Sequence, residues 1–114
     1  MDIEAALMAL LAEDTGWEWF GVKPARNDRC GTVERTGGGI SDMVDSPMVA
    51  LQVWGETWAD AASMASRTAA AIPGLVNRSG IRSARVESIY KLPDYEGGKP
   101  RYQITAVFKT VAGR

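Results

Sequence analysis

The sequence predicts an α+β domain: a single mixed, mostly antiparallel sheet with two helices packed on one face, in the order α-β-β-β-α-β-β. Three observations lead there. Apolar residues recur at helical spacing near the N-terminus and again after Thr57, five further segments carry β-favourable or alternating patterns, and turn chemistry separates them. A chain of 114 residues, 46% hydrophobic, is one domain in size and buries roughly two-thirds of the surface its unfolded form exposes. No internal repeat, linker or low-complexity segment divides residues 1 to 114 into a second domain.

Ile3, Leu7, Leu10 and Leu11 define an amphipathic helix over residues 2 to 13, with Asp2 as its N-cap and Asp14-Thr15-Gly16 as its stop. Trp17, Trp19 and Gly21 alternate with Glu18 and Phe20 in a short strand, and the polar stretch from Lys23 to Arg29 follows. Cys30 to Thr36 reads as a second strand around Val33. A polar loop is expected from Gly37-Gly38-Gly39 through Asp42 and Asp45 to Pro47, mobile in the free subunit and ordered against a partner, because three glycines make an ordered loop entropically costly. Met48 to Trp54 is a strand with Val49, Leu51 and Val53 on one face. Thr57 caps a second helix, Asp60 standing at its third position, with Trp58, Ala61, Ala62, Ala65, Ala69 and Ile72 on the apolar face and Pro73-Gly74 at the end. Its seven alanines between Ala59 and Ala71 permit close approach to a sheet. Arg85 to Lys91 and Tyr102 to Val111 are the last strands, joined by the turn-rich segment from Leu92 to Pro100. The strand-helix-strand unit over residues 48 to 90 predicts a right-handed crossover if its strands are parallel.

Composition excludes several chemistries. The chain has no histidine, so histidine acid/base catalysis, Ser-His or Cys-His nucleophiles and histidine metal sites are ruled out. Its single cysteine, Cys30, rules out an internal disulfide and any CxxC site and fits a reducing, intracellular setting. The balance of 13 Lys+Arg against 14 Asp+Glu argues against direct sequence-specific nucleic-acid binding. No apolar run approaches the ~18 residues a bilayer span needs, and Asp2 and Glu4 stand where a signal peptide would carry positive charge. Neither secretion nor membrane insertion is expected.

The charges nearly cancel but are unevenly placed. Residues 1 to 22 hold five acidic and no basic side chains, whereas residues 78 to 114 hold eight basic against three acidic. Either the two ends face each other or are solvated within one molecule, or acidic residues 2 to 18, Glu13 and Asp14 among them, meet basic residues 78 to 109, Arg82, Arg85 and Arg101 among them, across a subunit boundary. Other candidates read as structural. Gly37, Gly38 and Gly39 follow a strand but lack the GK[ST] and the helix N-terminus of a phosphate loop. Asp42 and Asp45 lack an EF-hand pattern and read as solvated loop charges. Cys30 without a histidine partner reads as a buried thiol, and nothing places Glu34 beside Glu87 as an acid/base pair. Trp54 and Trp58 flank a strand-to-helix turn, as core packing or as an aromatic anchor at a protein interface. No catalytic, cofactor or metal site is expected.

The run Thr32-Val33-Glu34-Arg35-Thr36-Gly37-Gly38-Gly39, then Asp45-Ser46-Pro47, then Val49-Ala50-Leu51-Gln52-Val53-Trp54-Gly55 before an alanine-rich helix, resembles the tail terminator (tail completion) proteins of long-tailed bacteriophages. The Pro73-Gly74 and Gly98-Lys99-Pro100-Arg101-Tyr102 segments are similar to those of actinobacterial phages and prophages, so the resemblance covers about residues 1 to 111. It implies a homo-oligomeric ring of six subunits at the tail-neck joint of the virion, assembled in the host cytoplasm. Its partners would be the tail tube protein and a neck or connector protein. The ring would cap the finished tube, end polymerisation and offer a surface for head joining, with no catalysis, cofactor or membrane. A neck or head-closure component is the alternative, and a small ligand-binding module or enzyme the more distant one.

Overall fold

The computed structural model describes residues 2–25, 29–94 and 97–111; Arg26 to Asp28 of the polar stretch, Tyr95 and Glu96 of the last turn, and Arg114 of the basic end lie outside them. Helix α1 (Ile3–Thr15) starts where Asp2 accepts the Ala5 N–H at 3.1 Å and ends at Gly16, which takes φ +89° and returns its N–H to the Ala12 carbonyl. Its buried stripe is Ile3, Leu7, Leu11 and Thr15. Helix α2 (Trp58–Ala71) is capped by Thr57, whose hydroxyl accepts the Asp60 N–H, while Asp60 accepts the N–H of Glu56 in return. A 3₁₀ turn, Ile72–Leu75, carries Pro73 and closes the helix.

Seven strands form one sheet: β1 (Trp19–Phe20), β2 (Cys30–Gly37), β3 (Ile40–Ser41), β4 (Val44–Asp45), β5 (Met48–Trp54), β6 (Ile81–Lys91) and β7 (Arg101–Val111). All pairs are antiparallel except β1 with β2. β7 is central, with β5 and β4 in succession along one side and β6 along the other. β5 and β6 therefore run parallel, with β7 inserted between them and α2 in the connection. This is the expected α+β architecture, with both helices on one face. Val33, Val49, Leu51, Val53, Ile104, Ala106 and Phe108 point from the sheet into a core shared with Leu7 and Leu11 of α1, Met64 and Ala65 of α2, and Ile72 and Leu75. No described helix is long and apolar enough to cross a membrane.

Three expectations change. First, the stretch from Gly37 to Pro47 is a β-hairpin rather than a polar loop: Ile40 faces Asp45 and Ser41 faces Val44 around Asp42 and Met43, at φ +50° and +68°. Those angles are what a two-residue type I′ turn requires. Second, the buried stripe of α2 is Ala61, Met64, Ala65 and Thr68, leading into Ile72, so Met64 and Thr68 take the places expected for Ala62 and Ala69. The Thr68 hydroxyl donates to the Met64 carbonyl at 2.8 Å, which lets it be buried. Third, β6 starts at Ile81, which is fully buried, instead of at Arg85.

Candidate interaction surface

The hairpin is tied to the sheet by strand pairing and side-chain hydrogen bonds. Gly38 bends the chain at φ +95°, and a Cβ there would collide with the Ser46 carbonyl oxygen, so the position tolerates only glycine. Gly37 and Gly39 meet no such neighbour. Of the triplet, one residue is required by the fold. Arg35 on β2 then grips Asp45 on β4 with two 2.7 Å hydrogen bonds and also donates to the Gly37 carbonyl. The pair holds the Asp45 carboxyl below its ordinary range and pushes the Arg35 guanidinium up. Both Asp45 oxygens are engaged by Arg35, so Asp42 and Asp45 are not a pair of cation ligands. Beyond this clamp the hairpin exposes Ile40 (68%), Met43 (70%) and Val44 (39%), and Met48 at the start of β5 is 40% exposed.

A second exposed apolar group lies at the opposite corner. Ile89 of β6 is 46% exposed, although Ile104, across from it on β7, is completely buried, while Tyr90, 43% exposed, points to the other face of the sheet. The helix layer covers β7 here and stops short of the β6 edge. Trp58, the first residue of α2 and 39% exposed, meets Tyr102 edge-on at 6.0 Å, and the Lys91 ammonium sits 4.9 Å from its ring centroid. Val44 faces Val111 and Ile89 faces Ile104. Seven residues of β7 therefore separate the two groups, roughly 24 Å at about 3.4 Å per residue.

Trp54 and Trp58 come to the same end of the sheet but on opposite faces. Trp54 is buried, its indole N–H donating to Asp94 at 3.1 Å, with Lys23 and Arg101 over its ring. Arg101 also donates to the carbonyls of Leu92 and Pro93. Together with the Gly97 N–H, the Trp54 contact lowers the Asp94 pKa. Trp54 and Arg101 are thus part of the closure of the β6–β7 connection.

The divided charge is partly satisfied within the chain. Arg78 bonds Asp14 at 2.6 Å and lies 3.9 Å from Glu13, which pushes the guanidinium pKa up. The structure therefore joins Glu13 and Asp14 to Arg78 rather than to Arg82, Arg85 or Arg101. Arg85 pairs with Glu87 at 2.6 Å. Arg82 and Glu87 are the extra residues at the two bulges of β6, which break the hydrogen-bonding regularity of that edge. Glu34 and Glu87 are kept apart by β5 and β7. Cys30 is fully buried, and its burial pushes the thiol pKa up.

Sequence reasoning missed the Trp17 cluster. Trp17 stacks on Trp19 at 6.0 Å, with the guanidiniums of Arg29 and Arg67 each 5.3 Å from its ring. Arg29 is in turn bound to Asp60, whose pKa it lowers, and Arg67 donates to the Thr15 carbonyl. Trp19 lies over Gly31, where a Cβ would strike its ring. The signal was present in the glycine at position 31, but its partner, twelve residues earlier, is set by parallel pairing. Among the described residues no group of three or more His, Cys, Asp or Glu is placed to hold a metal ion. Neither a protein-family model nor a curated protein matches this sequence.

Proposed function

We propose that this protein is a ring-forming virion subunit that caps the phage tail tube, ends its polymerisation and presents the surface for head joining. The observation that carries the ring is the exposure of apolar side chains on the helix-side face at two unlike corners of one sheet, Ile40 and the turn residue Met43 at one, Trp58 and Ile89 at the other. Two different patches suit head-to-tail association, and closure of such contacts produces a ring. Grouped apolar surface of this kind marks interaction sites. The terminator role itself rests on the resemblance of residues 1 to 111. A tube end exposes the same interface that recruits the next tube subunit. Length control therefore needs a protein that binds this end more favourably and offers no equivalent surface beyond it.

Electron microscopy of lysates from a phage lacking the gene tests the reading. Tails that run past normal length or fail to join filled heads are expected. Tails of normal length with heads attached would exclude the role, and normal-length tails lying free beside DNA-leaking heads would move the assignment to the neck.

A further inference from the structure

We infer that the hairpin tip of one copy, Ile40, Asp42 and Met43, seats on the Trp58, Ile89 and Lys91 corner of the next copy, with Asp42 facing Lys91. This rests on the ring reading above and names its interface. Charge complementarity selects the pairing. The Asp42 carboxylate makes no hydrogen bond or ion pair with any described residue, and the Lys91 ammonium meets the Trp58 ring but no carboxylate. The neighbouring charges are engaged internally: Asp45 by Arg35, Asp94 by Trp54 and Gly97, and Arg101 by two carbonyls. The tip thus adds the Asp42 carboxylate, and the corner the Lys91 ammonium, to exposed apolar side chains, with the exposed Glu56 two residues before Trp58 on the α2 side. Tip against tip would bring two Asp42 side chains together, and corner against corner two Lys91 side chains, so like-charge repulsion disfavours both self-pairings, and a reciprocal dimer with each tip in the other's corner is told from a ring by its mass. Lys109, the exposed base on the strand beneath the hairpin, lies two residues before Val111 and off the tip.

Placement and anchoring agree with this pairing. The hairpin extends beyond the β4 side of β7, while the receiving corner lies on the β6 edge at the other end, so one copy's donor surface and its acceptor surface never compete. The Arg35–Asp45 clamp and the Gly38 bend tie the hairpin to the sheet before contact, which lowers the ordering cost of association.

The test uses the full chain in sedimentation velocity and light scattering over a concentration series. Asp42→Lys and Lys91→Asp are each expected to weaken assembly about tenfold or more, and the double variant to recover most of the loss. Circular dichroism should stay unchanged, since both side chains are exposed. Single-cysteine variants give a second readout, because the native Cys30 is fully buried. Under mild oxidation, a mixture of Met43→Cys and Ile89→Cys should cross-link between the two variants, and neither should cross-link to itself. If the wild type assembles while both charge variants behave like it and the mixture stays uncrosslinked, the docking is wrong and the ring stands on another interface. Self-cross-linking of Met43→Cys would also overturn it, in favour of a two-fold contact. A wild type that remains a single chain throughout overturns the docking and the ring together.

Discussion

The helix-covered face of the sheet and the hairpin at its end contain the same kinds of side chain, yet one is dry and the other is open to solvent. Val49, Leu51 and Val53 on β5 are completely buried, whereas Val44 and Met48, on the chain just before them, are 39% and 40% exposed. Hydrophobicity does not separate the two sets. What separates them is the face they point to: α1 and α2 lie over the face that carries Val49, Leu51 and Val53, while Val44 and Met48 alternate onto the other face of the sheet. Ile104 and Ile89 share a face across one strand pair, yet the first is buried under the helix layer and the second is 46% exposed at its edge. An apolar side chain in a sheet this small is core only where a second layer reaches it. Where no layer reaches, it is surface available to another molecule.

The largest test of this contrast is Phe108→Ala. Phe108 is the largest of the fully buried side chains, and its loss is expected to cost about 3–5 kcal/mol in denaturant unfolding, enough to lower Tm by more than about 10 °C in a domain of this size. A cost below about 1 kcal/mol would mean that the helix layer does not seal this face.

Asp45→Asn is intermediate, because it breaks the clamp that joins the two regions. With side chains 12% and 32% exposed, Asp45 and Arg35 form a half-shielded bidentate pair, and loss of its charge should cost about 1–2 kcal/mol at neutral pH. The Asp45 pKa is lowered in the folded state, so the pair stabilises the protein above the ordinary aspartate range and ceases to do so as pH falls through the lowered value. Unfolding curves of wild type and variant should therefore converge below about pH 4. A gap that is constant with pH would assign the cost to packing instead of charge.

The smallest effect on stability is expected for Met43→Ser at the hairpin tip, under about 0.5 kcal/mol, measured by thermal unfolding of the single chain. A loss comparable to that of Phe108→Ala would make the hairpin part of the core and erase the contrast.

The parts of the fold legible from sequence are those set within one turn of helix or one strand. The Asp2 and Thr57 caps and the face of Val49, Leu51 and Val53 lie within a few residues of their causes, and the structure has them as expected. The hairpin was missed because its turn uses Asp42 and Met43 in place of the usual Asn-Gly or Asp-Gly pair. Aspartate tolerates positive φ, but methionine rarely does, so local chemistry pointed to a loop. Met64 and Thr68 were missed because alanine-rich helices carry little amphipathic signal, and their buried side is chosen by what they pack against.

The sequence by itself determined both helices with their caps, the strands β2, β5 and β7, and that no histidine or paired-cysteine chemistry is available. Only the tertiary structure decided that Arg78, 64 residues from Asp14, neutralises the acidic end of α1, that Arg35 is spent on Asp45, and that Asp42 and Lys91 are left without opposite charges. The physical reason is range. Caps and periodicity act between neighbours along the chain, whereas ion pairing and burial depend on strand register and on how far one layer extends over another, and both are properties of the assembled sheet.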